Sequence, residues 1–253
     1  MRSSVGLAVA LCAFATPLAA QEADWDLSTA PAQELTLASL EFEGGALAAV
    51  QCQAGELNLI LGGVPSSGAK TRSVLVTRAD GQSRRMDLHA IEGSDLLRSS
   101  SARDVRFVGV GGDTTVASTE DEPRAFRMAL DLPRHSANVN NVLTACGRAL
   151  EDDRDALPDA EDLLTRLPSL EIASLPRFHP RIQLEISCIV SQGALTACRS
   201  DHESPSEPDV GARTARTADG VRLSLSDSAA AEGRVLDVVL TGTQIRRAGR
   251  SGR

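Results

Sequence analysis

Residues 182–190 have the sequence Ile-Gln-Leu-Glu-Ile-Ser-Cys-Ile-Val, the most regular pattern in the chain. Apolar side chains occupy every second position of this segment, and polar side chains fill most of the positions between them. A period of two is typical of a β-strand with one buried face. Ser191-Gln192-Gly193 then supplies turn residues, and residues 194–200 lead back. The segment therefore predicts a β-hairpin.

Four cysteines lie beyond the first twenty residues, and we expect them to form two disulfides. Cys188 and Cys198 fall opposite or nearly opposite each other on the predicted hairpin, within disulfide reach. Cys52 lies on a predicted strand and Cys146 on the apolar face of a predicted helix, so we expect this pair to form the second bond. The alternative for Cys52 and Cys146 is two buried thiols.

The segment from Leu35 to Leu130 also alternates with period two and is interrupted by turn residues, which predicts antiparallel strands. Asp80-Gly81 is the strongest hairpin signal in it. Val105 with Phe107 is predicted as one further strand, and residues 126–130 as another. Ser136 can cap a helix that runs to Leu150 with one apolar face.

These patterns predict a mainly β protein with some α structure. We expect an antiparallel β-sandwich or half-barrel with one covering helix, followed by a small C-terminal domain. The predicted divisions are a signal peptide (1–20), the β domain (21–150), a linker with a possible short helix at 160–167 (151–177), the C-terminal domain (178–247) and a disordered tail (248–253). The charge run at 151–155 is interpreted as a solvated part of the linker.

The C-terminal segment resembles the C-terminal domain of TonB-type energy transducers, in the divergent form with two cysteines. The matching residues are 182–190, Gly193, Leu195, Cys198, Glu203-Ser204-Pro205, Gly211 and Gly233-Arg234-Val235. The resemblance implies a small βαβ sheet whose edge strand pairs with a peptide of an outer-membrane receptor. The resemblance does not imply energy transduction, since the family's proline-rich, membrane-spanning arm has no counterpart here.

The final strand is predicted from Val235 to Ile245, and we expect it to supply the binding edge. The predicted edge residues are Val235, Leu236, Asp237, Val238, Val239 and Leu240.

The first twenty residues predict export from the cytoplasm. Arg2 precedes an apolar run from Val5 to Phe14, and small residues follow up to Ala20. This order is that of a cleavable secretory signal. We expect a periplasmic or secreted protein of a Gram-negative bacterium, with no transmembrane segment after cleavage.

Composition argues against several classes of partner. The formal net charge of −8 becomes −9 when Arg2 is removed with the signal, and an acidic chain repels nucleic acid and anionic membrane surfaces. Aromatic residues make up 2% of the chain, which disfavours sites built on stacking. Lys70 is the only lysine among 26 basic residues, a bias that we interpret as genome composition.

No motif predicts a catalytic or metal site, and we expect no cofactor. Asp201-His202-Glu203 would point to alternate faces of a strand, so the three side chains are not expected to converge. Residues 108–113 are rich in glycine, but no helix start follows them to complete a phosphate site.

Three classes of function remain, and the third is a purely structural envelope protein with no discrete site. The first is a non-enzymatic binding or adaptor protein of the cell envelope that recognises an envelope or outer-membrane protein. The alternative is a secreted hydrolase or a small-ligand-binding protein that uses the N-terminal β domain. A cleft that gathers His135, Ser136 and a carboxylate would favour the hydrolase.

Overall fold

A computed structural model describes residues 24–119, 124–170, 172, 181–204 and 209–243. Within these ranges every pair of adjacent strands is antiparallel, and the protein is mainly β as predicted. The predicted signal peptide (1–20) and the predicted disordered tail (248–253) lie outside the described residues.

The N-terminal half forms a nine-stranded sheet with the order β1-β2-β3-β4-β7-β6-β5-β8-β9. Its strands are β1 (Asp26–Ala30), β2 (Leu35–Glu41), β3 (Leu47–Gln53), β4 (Glu56–Gly62), β5 (Thr71–Arg78), β6 (Ser83–Ala90), β7 (Leu97–Ser99), β8 (Gly112–Ser118) and β9 (Arg127–Leu132). The predicted Asp80-Gly81 turn joins β5 to β6, with Thr77 opposite Ser83.

Two helices fill the inside of this sheet, where the sequence predicted one. They are α1 (Ala102–Gly109) and α2 (Ala137–Ala145). A single core contains buried residues of both helices together with strand residues as far apart as Ala38 on β2 and Leu132 on β9. Both helices therefore share one core with strands from across the sheet.

The predicted strand at Val105 and Phe107 is wrong, because these residues lie in α1. Ser101 caps this helix through its hydroxyl, which accepts a hydrogen bond from the backbone N–H of Asp104. Ala102, Val105 and Val108 are buried at a spacing of three, which is the helical period. The alternation of Val105 and Phe107 with charged residues concealed that period.

The C-terminal part forms a three-stranded sheet with the order β12-β11-β14 and one packed helix. Its elements are β11 (Arg181–Ser191), β12 (Ala194–Ser204), α3 (Val210–Ala218) and β14 (Val235–Thr243). The hairpin of β11 and β12 is confirmed, and Leu184, Ile186, Cys188, Val190 and Leu236 pack on one face with Ala215 and Ala218 of α3. A small two-stranded sheet joins β10 (Leu164–Arg166) to β13 (Ser224–Leu225).

Both predicted disulfides are present. Cys52 on β3 bonds Cys146, directly after α2, with a Cα–Cα distance of 5.5 Å. Cys188 on β11 bonds Cys198 on β12 across the hairpin, at 4.1 Å. Disulfides persist in oxidising compartments, so they fit a protein outside the cytoplasm.

The segment predicted as a linker packs between the two sheets over the part that is described. A short 3₁₀ helix at Glu161–Leu163 and β10 replace the predicted helix at 160–167. Asp159, a candidate N-cap for that helix, makes no capping bond, and its carboxylate binds arginine side chains of the N-terminal half. None of the described helices has the length and apolar character to cross a membrane.

Candidate functional site

The polar face of β11 is buried, and it packs against the N-terminal half through charged side chains. Gln183 and Glu185 are each 4% exposed and Ser187 is 2% exposed. Their apolar neighbours face α3 on the opposite side, so β11 is covered on both faces. This burial makes the interface between the two sheets the most highly charged interior region among the described residues.

Glu185 is the centre of this interface. Its Oε2 accepts a hydrogen bond of 2.6 Å from Arg148 Nη1, and its Oε1 accepts one of 2.8 Å from the backbone N–H of Ala102 at the start of α1. A guanidinium and a helix N-terminus both favour a carboxylate. Burial opposes them and raises the pKa of Glu185 to about 7. Two donors from the N-terminal half thus hold the middle strand of the C-terminal sheet.

Two arginines connect the final strand to the N-terminal half. Arg103 Nη1 lies 3.1 Å from Asp237 Oδ2 on β14 and 3.0 Å from Asp159 Oδ1. Arg84 binds the same two carboxylates and also Asp104 of α1, at 2.6 Å. Burial raises the pKa of Asp159 to about 6, against the effect of Arg84 and Arg103. These shared contacts fix the position of β14 relative to α1.

The charge run at 151–155 is not simply solvated, which corrects the sequence interpretation. Asp155 accepts two hydrogen bonds from Arg106 of α1, at 2.6 and 2.8 Å. Arg154 donates to the carbonyls of Ser187 and Ala197, each at 2.6 Å. The run therefore lies between α1 and the C-terminal hairpin and bonds to both.

Residues 158–160, which we call the strap, cover the beginning of the outer edge of β14. The backbone N–H of Val235 donates to the carbonyl of Pro158 at 3.0 Å, and the N–H of Ala160 donates to the carbonyl of Val235 at 2.8 Å. The strap thus forms a parallel bridge with the first residue of the strand.

Beyond Val235, successive residues of β14 direct their backbone N–H and C=O groups alternately toward β11 and away from it. The N–H of Val190 on β11 donates to the carbonyl of Arg234, directly before β14, so in the paired register Leu236, Val238 and Leu240 direct their backbone groups toward β11. Asp237, Val239 and Thr241 direct their N–H and C=O groups outward, as Val235 does. Over the described ranges no backbone group pairs with these three outward residues.

The structure divides the six predicted edge residues into two groups. Val235 is bridged to the strap, Leu236 is buried, and the Asp237 side chain is held by Arg84 and Arg103. The second group is half-buried and lies where the outer side of β14 is unpaired: Val238, Val239 and Leu240. The outer side that is left unpaired among the described residues therefore runs from Asp237 to Thr243, shifted toward the end of the predicted strand.

Other sheet edges in the described residues are shorter or carry charges. The outward-lying strand β9 has exposed Arg127 and Asp131, and charged side chains are a common protection against edge pairing. β1 has five residues and begins with Asp26. Residues 238–243 of β14, Val-Val-Leu-Thr-Gly-Thr, carry no charge.

The described histidines do not assemble a catalytic site. His89 is exposed and shares a hydrogen bond with Thr71, and His135 is exposed beside Ser136. The Ser136 hydroxyl donates to Asp24 at 2.5 Å and accepts from the N–H of Val139, as a helix cap does. His179 lies outside the described residues.

His202 is separated from its two acidic neighbours, as the strand geometry predicts. Asp201 pairs with Arg199 at 2.8 Å, and Glu203 accepts from the N–H of Gly211 at 3.0 Å. His202 Nε2 is buried without a hydrogen-bond partner. Burial, and then Arg148, lower the pKa of this ring to about 4, so it is neutral at pH 7. The described residues contain no group of three or more side chains placed to hold a metal ion.

Comparison with known proteins finds no family model, no curated protein and no solved structure that matches this chain. The resemblance to TonB-type C-terminal domains therefore stays a prediction based on the residues quoted for it.

Proposed function

We propose that this chain is a non-enzymatic binding or adaptor protein of the cell envelope, periplasmic or secreted, that captures an extended segment of a partner protein at the outer edge of β14. One observation carries the proposal: the outer side of the backbone from Asp237 to Thr243 has no pairing strand within the described residues, and the residues from Val238 onward carry no charge. Such an edge offers a row of donors and acceptors to an added strand.

The surroundings of β14 support this use of its edge. The strand is paired to β11 along its whole length, and its side chains contact α3 on one face and Arg84 and Arg103 on the other. A strand fixed in this way loses little conformational freedom when a partner binds. The outward groups of Asp237, Val239 and Thr241 supply the main-chain bonds, and the alternating side chains supply specificity.

No observation favours the hydrolase. Ser136, His135 and Asp24 are close in sequence or space, but the hydroxyl of Ser136 caps α2 and the ring of His135 is exposed. The proposal therefore rests on a binding surface and names an envelope or outer-membrane protein as the partner.

The experiment is a cross-linked pull-down of the tagged mature protein from the envelope of its own host, made with an edge variant. Val239→Pro removes one outward N–H, which an edge strand tolerates because that group does not face β11. Val239→Ala is the matched control, because it also removes the valine side chain but keeps the backbone N–H. We expect a reproducible partner that is captured by the parent and by Val239→Ala but lost with Val239→Pro.

Equal capture by all three proteins would overturn the proposed edge. Absence of any partner specific to the parent would overturn the adaptor function itself. Truncation before residue 178 is a poorer test, because it would also remove Glu185 and Asp237 from the buried arginines.

A further inference from the structure

The hydrogen bonds of the β5–β6 hairpin determine which backbone groups of β6 face β5. The N–H of Arg78 donates to the carbonyl of Gln82 at 2.9 Å, and the N–H of Ala90 donates to the carbonyl of Lys70 at 2.8 Å. In an antiparallel pair every second residue bonds to the same neighbouring strand. In the paired register the even-numbered residues of β6 therefore direct their N–H and C=O groups toward β5, and the odd-numbered residues direct theirs away from it.

The side of β6 that faces away from β5 is unpaired over most of the strand. β7 lies next to β6 in the sheet but pairs with it only at His89 and Ala90. Within the described ranges, no backbone group pairs with the outward groups of Ser83, Arg85 and Asp87. A strand inside the order of the nine-stranded sheet thus keeps a free edge along these three residues.

A cleft of about 760 Å³ reaches this free edge. Ser83, Arg84 and Arg85 of β6 line one wall, and residues 155–159 line the opposite wall. Consecutive residues of a strand point to opposite faces, so a cleft lined by all three reaches the edge from both faces of β6. Pockets of roughly 300 to 1,000 Å³ hold ligands. The cleft therefore offers room for a ligand beside the unpaired backbone.

The cleft also presents apolar side chains that are only partly covered. Leu75 is 42% exposed, although it lies in the middle of β5. Phe107 of α1 and Ala117 of β8 line the same cleft, and Leu157 and Pro158 line it from the opposite wall. These side chains supply the apolar contact area that bound ligands need.

The charged side chains of the cleft do not favour a charged ligand, because each of its three carboxylates is paired with arginine. The pairs are Asp155 with Arg106, Asp159 with Arg84 and Arg103, and Asp162 with Arg234. Arg85, the remaining charged residue, donates to the hydroxyl of Ser73 at 3.0 Å. What the cleft leaves without a partner is the outward main chain of β6 and the apolar surface.

We infer that the cleft binds a short, extended and uncharged segment of another polypeptide, which pairs its main chain with Ser83 and Arg85 and places alternate side chains against Leu75 and Phe107. A peptide main chain offers donors and acceptors at the spacing of a strand, which a free sheet edge requires. This site goes beyond the proposed function and does not depend on it, since no residue from 237 to 243 lines the cleft.

The probe is a synthetic octapeptide of alternating threonine and valine, with both ends capped and a neutral fluorophore at one end. Its fluorescence polarisation is measured with the full, oxidised mature chain that carries Val239→Pro, so that the edge of β14 does not contribute. We expect saturable binding at one site. Replacing a central threonine of the probe by glutamate or by lysine should weaken binding, because either charge would be desolvated without a partner.

Substitutions in the same Val239→Pro chain locate the probe. Arg85→Pro removes an outward N–H, which β6 tolerates because that group does not face β5. Arg85→Ala is the matched control, because it also removes the arginine side chain but keeps the N–H. We expect Arg85→Pro to bind the probe about tenfold more weakly than Arg85→Ala, since a carbonyl of the probe loses its donor.

A second variant leaves the backbone unchanged. Leu75→Asp should also weaken binding, because it places a charge against the apolar side chains of the probe. Leu27→Asp, at an exposed leucine of β1, is its control and should leave the affinity unchanged. Melting temperature and near-ultraviolet dichroism establish that each variant is folded.

The inference is wrong if the probe shows no saturable binding, or if folded Leu75→Asp binds it as tightly as Leu27→Asp does. Equal affinities of folded Arg85→Pro and Arg85→Ala would also contradict it, as would tighter binding of either charged probe. Binding by the parent that is lost with Val239→Pro would place the probe on β14, which would support the proposed function and overturn this inference.

Discussion

Glu185 is held by two donors that come from the other half of the chain, Arg148 and the N–H of Ala102. Removing one member of a buried ion pair leaves the other charge desolvated and unpaired. We therefore expect Arg148→Met to lower the free energy of unfolding by about 3 to 5 kcal/mol. Replacing both members, as Arg148→Met with Glu185→Gln, should cost clearly less than the sum of the single changes.

Urea denaturation of the parent, both single variants and the double variant completes this thermodynamic cycle. Asp153→Asn is a matched control, because it removes an ion pair to Arg199 in which the aspartate side chain is 79% exposed, and it should cost less than about 1 kcal/mol. If the cost of the double variant equals the sum of the two single costs within about 0.5 kcal/mol, Arg148 and Glu185 do not interact in this way.

The stability of the folded chain depends on pH through Glu161. Burial raises its pKa from an ordinary 4.5 to about 8, with further increases from Asp87, Asp104 and Asp159. The folded chain thus keeps a proton that the unfolded chain releases near 4.5. This contribution to stability is complete below that value and is lost as the pH rises through about 8.

We therefore predict that the urea midpoint falls as the pH rises from about 6.5 to about 8.5, with Glu185 adding to the decrease near 7. Glu161→Gln, which cannot ionise, should flatten this decrease and be the more stable protein at the upper end. His202 does not interfere, because its lowered pKa affects stability only below its ordinary value of 6.5. A midpoint that rises with pH over this range would contradict the assignment.

The charged interior was not predictable from single residues. Arginine accounts for all but one of the basic residues, and the sequence interpretation ascribed this to genome composition. In the structure Arg84, Arg103 and Arg148 are buried and each binds at least one carboxylate. The planar guanidinium suits such multiple contacts better than the lysine ammonium does. The partners lie up to 153 residues apart, so no local pattern reveals them.

At the scale of elements, the sequence correctly predicted those features that interactions between residues close in the chain determine. The Asp80-Gly81 turn, the hairpin at 182–200 and the Ser136 cap of α2 all lie where the sequence placed them. The helix α1 was missed because it is short and its first residue is held by Glu185, which is distant in the chain. Helices of this length depend on tertiary contacts more than on their own propensity.

The two disulfides differ in the length of chain that they close, which leads to a prediction about elements. Cys52–Cys146 spans 94 residues and ties the end of α2 to β3, whereas Cys188–Cys198 spans 10 residues within one hairpin. On the chain-entropy account the longer loop stabilises by about 4.7 kcal/mol and the shorter by about 2.7 kcal/mol. We expect replacing Cys52 and Cys146 by alanine to cost about 2 kcal/mol more than replacing Cys188 and Cys198.

Urea denaturation of the two double-alanine variants checks this difference, and a non-reducing peptide map of the parent checks the pairing. Equal costs, or a larger cost for the hairpin bond, would contradict the loop-length argument. A map that joins Cys52 to Cys188 would contradict the pairing itself.

At the scale of the whole molecule, the two sheets pack against each other through the interface that contains Glu185, Asp159 and Asp237. The alternation at 182–190 correctly predicted a strand with an apolar face toward α3. The alternation did not reveal that the polar side of this strand is covered as well, by α1 and the residues that follow α2. Period two indicates which residues share a face, not what covers it.

The same packing explains why only part of the predicted edge is unpaired on its outer side. The strap is hydrogen-bonded to the backbone of Val235, and Arg84 and Arg103 form ion pairs with the Asp237 side chain. The sequence pattern placed the start of the strand correctly, whereas the contacts that cover its beginning come from residues 75 or more positions earlier.

Residue-resolved amide exchange along β14, measured by NMR on the free mature protein, tests the central claim most directly. The account predicts alternation: slow exchange at Leu236, Val238 and Leu240, whose N–H groups face β11, and fast exchange at Asp237, Val239 and Thr241, whose N–H groups face outward. Val235 should be protected by its bond to Pro158. Uniform protection from Asp237 to Thr241 would mean that another strand already covers this edge, and would contradict the claim that it is open to a partner.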